Sequence, residues 1–174
     1  MKEIVVLICI IFISSTVRAN NIIKNSNYKY CNFHNFTYFF LDIYDIYLCV
    51  NEKKFFAQEK IYQNNFSIII QYNMNFSNKE LAKSSIEEIS RYYDINDSDK
   101  TKYYQKLLTI FPNIKKTDII EARYSNGTTK LYHNQNFTGK IKNNKFSKIF
   151  LDIWLHKNNK YQTMIKDLYR NAIN

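Results

Sequence analysis

The glycines of this 174-residue chain set the first limit on the chemistry that it can do. Glycine supplies the backbone freedom required by phosphate-cradling loops and by the G-x-S-x-G turn of α/β-hydrolases. The chain has two glycines, Gly127 and Gly139, and their separation of twelve residues fits none of these motifs. We therefore exclude a Rossmann dehydrogenase, a P-loop NTPase and an α/β-hydrolase.

The histidines and cysteines do not have the spacing of a metal site. His34, His133 and His156 lie far apart, and neither C-x-x-C nor H-x-x-E-H occurs. Metal ligands normally recur at such short intervals. The sequence thus predicts no metal site and no cofactor.

The N-terminus has the pattern of an export signal. Lys2 precedes an apolar run over residues 4–13, and Val17 and Ala19 are the small residues of a cleavage site. The run is about 10 residues long, within the range of a signal core and below the roughly 20 residues that span a bilayer. We predict a signal peptide over residues 1–19, one domain over residues 20–174 without a transmembrane segment, and a periplasmic or secreted protein. An uncleaved N-terminal anchor is the alternative.

Two cysteines remain in the predicted mature chain, Cys31 and Cys49, since Cys9 leaves with the signal. In an oxidising compartment these two residues can form one disulfide. The alternative is two reduced thiols, with Cys49 buried in a strand. The sequence leaves both interpretations open.

The chain is basic, with a formal net charge of +10, but its charges are spread along the sequence. The longest basic runs are the doublets at residues 53–54 and 115–116. Nucleic-acid binding requires basic residues that cluster on one face or stripe. We expect no nucleic-acid partner. A basic surface that meets an anionic membrane or envelope component is a weaker alternative.

The elements that must position a site begin with strands. Residues 38–50 are rich in β-forming types, which predicts one long strand or two joined by a bulge. Alternation from Phe66 to Phe76 predicts a half-buried strand with Tyr72 on its apolar face. Further strands are predicted at residues 117–124, 128–133 and 137–141, with turns at Asn126-Gly127 and at residues 134–136.

Helices follow these strands. Ser77 and Glu80 form a capping box for a helix that runs to about Tyr93. A second helix is capped at Asp97-Ser98 and ended by Pro112, a third is capped by Asn143 or Asn144, and a last amphipathic helix carries residues 164–169. Together the elements predict one α+β domain with helices on one face of an antiparallel sheet.

Several segments have the motifs of a known family. Residues 111–118 match an F-P-x-[VI]-x-x-x-D segment, and residues 146–155 match an F-x-x-x-F-x-x-I-W-L segment. Residues 134–141 are similar to an N-G-x-x-x-G-x-I turn, and residues 44–48 and 77–85 are similar to a strand and to the first helix of that family. The chain thus resembles, over roughly residues 40–168, the chalcone isomerase-like domain found in exported bacterial proteins. This resemblance implies an open-faced β-sandwich, in which a layer of helices covers one face of a curved antiparallel sheet.

The resemblance implies two kinds of function. Plant enzymes of this superfamily close a flavanone ring by adding a phenolate to an enone, and they use an arginine, a threonine and a tyrosine. Here the threonine position falls on about Asp42, the tyrosine position falls near Glu80, and no arginine occurs between Asn20 and Lys60. A carboxylate would repel the phenolate, so no catalytic residue is predicted. Other relatives bind fatty acids without turning them over.

A pocket for such a ligand would be apolar, with a cation or a tyrosine hydroxyl for the carboxylate. The candidate ligand-binding residues are Tyr72, Arg91 and Arg123. Each also suits a structural role, because Tyr72 fits a core and the two arginines fit a solvated surface. We expect an exported, non-catalytic binder of a small apolar or fatty-acid-like ligand. An isomerase of the intramolecular lyase type that uses the same cleft is the alternative.

Overall fold

The computed structural model describes residues 28–57 and 60–170, so the predicted signal peptide lies outside the described residues. Within these ranges six strands form one antiparallel sheet, in which spatial order follows chain order. They are β1 (Tyr30–Tyr38), β2 (Leu41–Val50), β3 (Phe66–Tyr72), β4 (Ile119–Ser125), β5 (Thr128–His133) and β6 (Asn136–Ile141). Neighbouring strands pair because each connection returns the chain to the adjacent edge.

A layer of four α-helices, counted over the same ranges, covers one face of the sheet. They are α1 (Asn78–Tyr92), α2 (Asp97–Ile110), α3 (Asn144–Leu155) and α4 (Gln162–Leu168). Helix α4 packs against β1, where the Asn32 amide donates to the Leu168 carbonyl at 3.0 Å. Helices α2 and α3 pack against β6. The predicted α+β architecture, with helices on one face of an open antiparallel sheet, is confirmed.

The helices begin at local capping interactions. The Ser77 hydroxyl accepts from the Glu80 N–H at 3.2 Å and the Glu80 carboxylate accepts from the Ser77 N–H at 2.7 Å, which confirms the predicted capping box. Asn143, one of the two candidates, caps α3. The predicted cap of α2 was wrong, because the side chain of Asn96, rather than Asp97 or Ser98, accepts from the Asp99 N–H.

The apolar stretch over residues 38–50 is not one strand. The chain reverses at Phe39 and Phe40, whose φ angles of 47° and 65° form a two-residue turn between β1 and β2. Asn-Gly is the usual sequence signal for such a turn. Because phenylalanine occupies both positions here, the sequence did not predict the turn. A bulge does occur in β2, since Phe36 pairs with Tyr44 and Thr37 pairs with Asp42.

Strand β3 is shorter than predicted, and it is buried on both sides. It ends at Tyr72, and Phe76 instead forms an isolated bridge with Ile114. Ser67 and Gln71 are buried as well as the predicted apolar face, because β3 is a central strand of the sheet. Alternation predicted which residues share a face, but it could not reveal that both faces are shielded.

Alternation along the strands gives the sheet two faces of different character. The covered face, beneath the helices, carries the main core, in which Ile46 and Ile68 are buried. The opposite face, which we call the outer face, carries a smaller apolar cluster of Tyr47, Cys49 and Ile69. The two faces therefore have to be considered separately when a site is sought.

Cys31 and Cys49 form a disulfide on the outer face. They are directly opposite each other in the register of β1 and β2. That register depends on the turn at Phe39 and Phe40, which the sequence did not reveal. The structure therefore decides between the two open interpretations in favour of the disulfide.

Candidate ligand-binding pocket

A cavity of about 260 Å³ lies between the covered face and the helices, where β1, β2 and β3 meet α1, α3 and α4. Helix α1 contributes Leu81, Ser85 and Glu88, whose spacing places them on one face of a helix. The wall of the cavity is mainly apolar and includes Phe36, Ile43, Phe76, Leu81, Ile153 and Met164. An apolar wall with a few polar groups is the usual composition of a small-ligand site.

Two tyrosines, Tyr44 and Tyr72, are among the polar residues that line the cavity, with Ser84, Ser85, Glu88 and Tyr161. The rings of Tyr44 and Tyr72 are 6.0 Å apart. The Trp154 indole N–H, which can only donate, partly offsets the rise in the pKa of Tyr44. The Tyr72 hydroxyl has no hydrogen-bond partner among the described residues. Burial raises the pKa of both phenols, and the proximity of Tyr72 raises that of Tyr44 further. Both groups are therefore neutral donors at physiological pH.

Glu88 lines the cavity, and its carboxylate is paired with two cations in a cluster that we call the rim. The Glu88 carboxylate accepts from Arg91 Nε at 2.9 Å and lies 3.4 Å from Lys160 Nζ. The Tyr92 hydroxyl donates to the same carboxylate at 3.0 Å. Glu88 is 17% exposed, whereas Arg91 is 54% and Lys160 is 40% exposed. Two cations around one carboxylate leave the rim net positive, which favours the approach of an anion.

The three candidate residues from the sequence fall in three different places. Tyr72 lines the cavity, and Arg91 lies at the rim through its bond to Glu88. Arg123 lies on the outer face, where it pairs with Glu121 at 2.7 Å and stacks on the ring of Tyr132 at 4.1 Å. The structure therefore brings Tyr72 and Arg91 near one pocket and separates Arg123 from it.

Sequence reasoning missed Tyr44, Glu88 and Lys160 as parts of this site. Tyr44 lay in the apolar stretch whose hairpin was concealed, so its face was not assigned. Glu88 could have been found, because it follows Leu81 and Ser85 at helical spacing. Lys160 lies between α3 and α4, where no periodic pattern indicates which way a side chain faces.

The positions that the resemblance matched to catalytic residues lie outside the cavity. Asp42 is exposed and accepts from the amides of Asn35 and Asn73, each at 2.9 Å. Glu80 is engaged in the capping box of α1. Both carboxylates thus have structural partners that account for their positions.

The remaining buried carboxylate near the helices belongs to Asp152. It accepts from the hydroxyls of Tyr62, at 2.6 Å, and Tyr93.

Over residues 28–57 and 60–170, no three His, Cys, Asp or Glu side chains come together as a cation site. No helix in that part of the chain is both long and apolar enough to cross a membrane.

The fold and the cavity define an α+β domain with an apolar pocket between an antiparallel sheet and a helical layer. The chain belongs to the chalcone isomerase-like family, whose family model matches residues 17–168. It is similar to the crystal structure of a fatty-acid binding protein from Arabidopsis thaliana, with a TM-score of 0.59 and 12% sequence identity over 80% of this chain and 84% of that one. Similarity at this level of identity shows the fold alone. No curated protein sequence matches the chain.

The family that the sequence motifs resembled is thereby confirmed. Membership of its exported bacterial branch stays a prediction.

Proposed function

We propose that the protein binds a small apolar carboxylate of the fatty-acid type and does no chemistry on it. The observation that carries this proposal is that two tyrosines, Tyr44 and Tyr72, line a mainly apolar cavity with their rings 6.0 Å apart. A carboxylate offers two acceptor oxygens, so one ligand group could accept from both hydroxyls. The similarity to a plant fatty-acid binding protein supports the same class of ligand.

The size of the cavity limits the ligand. At about 260 Å³, its volume is slightly below that of most small-ligand sites, which span roughly 300–1,000 Å³. It suits a short or medium acyl chain, or the first part of a longer one. Phe36 and Ile43 would contact the methylene groups, while Arg91 and Lys160 offset the charge of Glu88 at the entrance.

Ring closure of a chalcone is not part of this proposal. That reaction needs a cation or donors at the phenolate and at the developing enolate. The matched positions Asp42 and Glu80 are acids with structural partners outside the cavity. The isomerase alternative is tested by following the absorbance of a chalcone in the presence of the protein. Turnover by the parent that is lost in Tyr72→Phe would contradict the non-catalytic binder and favour the isomerase.

We also propose that the protein is exported. The signal pattern over residues 1–19 and the Cys31–Cys49 disulfide support this, because disulfides persist in oxidising compartments. N-terminal sequencing of protein from its native cells is expected to begin at Asn20. A first residue of Met1 together with two reduced thiols would contradict export.

Titration with cis-parinaric acid, a fluorescent fatty acid, tests ligand binding. A saturable rise in fluorescence is expected, reversed by decanoic acid and several-fold less effectively by 1-decanol, because a hydroxyl offers one oxygen where a carboxylate offers two. No saturable binding would contradict the proposal. Equal competition by acid and alcohol would contradict recognition of the carboxylate.

A further inference from the structure

The turn between β1 and β2 differs from the other two-residue turns of the sheet. Asn126-Gly127 and Asn134-Gln135 have φ angles of 47° and 74°, and of 46° and 71°. Phe39 and Phe40 adopt the same conformation, with φ angles of 47° and 65°. Positive φ suits glycine and asparagine and is strained for a bulky side chain. Local folding therefore gives no reason for phenylalanine at either position.

The same turn also exposes apolar surface to water. Tyr38, Phe39, Phe40 and Leu41, which we call the aromatic tip, are 51%, 76%, 104% and 54% exposed. They account for four of the six large exposed hydrophobic side chains among the described residues. A segment that combines backbone strain with exposed aromatic surface is a candidate functional site.

The aromatic tip lies at the same end of the sheet as the pocket. The hairpin that bears it also carries Phe36, Ile43 and Tyr44, which line the cavity. The loop before β4 joins this end through the bond from the Thr117 N–H to the Tyr72 carbonyl, at 2.7 Å. That loop exposes the lysine doublet at residues 115–116.

We propose that the aromatic tip inserts into the interface of a lipid bilayer. The tip is a turn whose aromatic side chains are exposed. Tyrosine favours the headgroup level of a bilayer, and exposed phenylalanine and leucine gain free energy by leaving water. The net charge of +10, which is +9 without residues 1–19, and the exposed lysine doublet complement an anionic lipid surface. Asp42, beside the tip, is an opposing charge held by Asn35 and Asn73. Insertion rests on the hairpin and does not require the proposed ligand.

The double substitution Phe39→Asn with Phe40→Gly tests this proposal. It introduces the turn sequence that the chain already uses at residues 126–127, so the variant is expected to be at least as stable as the parent. Its partitioning into vesicles of phosphatidylcholine and phosphatidylglycerol is expected to fall at least about tenfold, because two apolar rings no longer leave water. Co-sedimentation with the vesicles measures the partitioning, and thermal unfolding measures the stability.

Phe137→Ser is the matched control, because Phe137 is 56% exposed but lies on β6, at the opposite edge of the sheet. Its vesicle binding is expected to equal that of the parent. Equal vesicle binding by parent and tip variant would overturn the proposal, as would no vesicle binding by the parent. A dimer of the parent that the tip substitution dissociates without lipid would also overturn it, in favour of self-association.

Titration with cis-parinaric acid in the absence of vesicles is expected to be unchanged by the tip substitution. Failure of the proposed ligand binding would thus be seen in this titration, and failure of membrane insertion would be seen in the vesicle binding.

Discussion

On the outer face of the sheet, Glu121 accepts hydrogen bonds from Ser67 and Arg123, at 2.8 and 2.7 Å. On the covered face, the hydroxyl of Tyr72 lines a cavity and has no partner in the described part of the chain. Both faces thus hold buried polar groups, and Arg123 Nε on the outer face also has no partner among the described residues. The Tyr72 hydroxyl differs in that it lies beside an apolar cavity. Charge alone does not mark the site in this molecule. An unpaired neutral donor beside a cavity marks it better.

Alkaline pH is expected to have the largest effect on stability, because it acts on several buried tyrosines at once. Unfolded tyrosines ionise near pH 10. Burial raises the pKa of Tyr44 and Tyr72, and on the outer face it raises that of Tyr47 to about 12. The folded state therefore keeps protons that the unfolded state loses. Stability should be fully present below about pH 10 and fall above it by up to about 1.4 kcal/mol per tyrosine per pH unit.

Urea unfolding at about pH 9 and about pH 11 measures this loss of stability. Tyr72→Phe should reduce the slope, because it removes one of the tyrosines that loses its proton only on unfolding. An unfolding free energy that does not change with pH across this range would contradict burial of the hydroxyls on the covered face.

Loss of the disulfide should destabilise the fold without affecting the ligand. The bond closes a loop of sequence separation 18, which corresponds to about 3 kcal/mol in the chain-entropy model. Cys31→Ser with Cys49→Ser should lower the unfolding free energy by about this amount. The affinity for cis-parinaric acid should stay the same, since the disulfide lies on the outer face. A matching loss of affinity would show that the two faces are coupled.

Arg123→Leu should lower stability by a smaller amount. It leaves the buried Glu121 carboxylate with Ser67 and without its cation, a loss of about 1–3 kcal/mol. Glu121→Gln in the same chain should restore part of it, because the unpaired charge is removed. Urea unfolding measures both variants. Reduced binding of cis-parinaric acid by Arg123→Leu would contradict the separation of Arg123 from the pocket and would indicate that Arg123 contributes to ligand binding.

Tyr72→Phe should have the smallest effect, and its effect should be on ligand affinity rather than on stability at neutral pH. The hydroxyl has no protein partner among the described residues, so its removal should leave the unfolding free energy near that of the parent. Loss of one ligand hydrogen bond should weaken binding by about 0.5–1.5 kcal/mol. Tyr132→Phe, on the outer face, is the control and should bind cis-parinaric acid like the parent. Equal affinities for both variants would contradict a role for Tyr72.

Much of the fold could be predicted because its signals are local. The capping box at Ser77, the Asn126-Gly127 turn and the helical spacing of α3 each depend on a few neighbouring residues. The β1–β2 hairpin could not be predicted because its turn carries phenylalanine where asparagine and glycine are usual. The pairing of Cys31 with Cys49 was then undetermined as well, since it follows from the register of that hairpin.

The candidate site was predicted less completely. Tyr72 was found because its strand alternates clearly, but Arg123 was chosen for its charge and lies on the other face. Alternation along β4 could have separated them, because Arg123 is out of phase with the apolar residues Ala122 and Tyr124. The register of β3 and β4 places Arg123 opposite Ser67, on the face away from Tyr72. The helices that enclose the cavity beside Tyr44 and Tyr72 come from distant segments, and no local pattern indicates this packing.

A substitution that closes the pocket without disturbing the core tests the central claim most directly. Ser84 and Ser90 are both exposed on α1, and of the two only Ser84 lines the cavity. Ser84→Trp should place an indole across the cavity and weaken binding of cis-parinaric acid at least about tenfold, by removing about 1.4 kcal/mol or more of ligand contact. Ser90→Trp should bind like the parent. If the two variants bind equally well, the ligand does not occupy this pocket and the account is wrong.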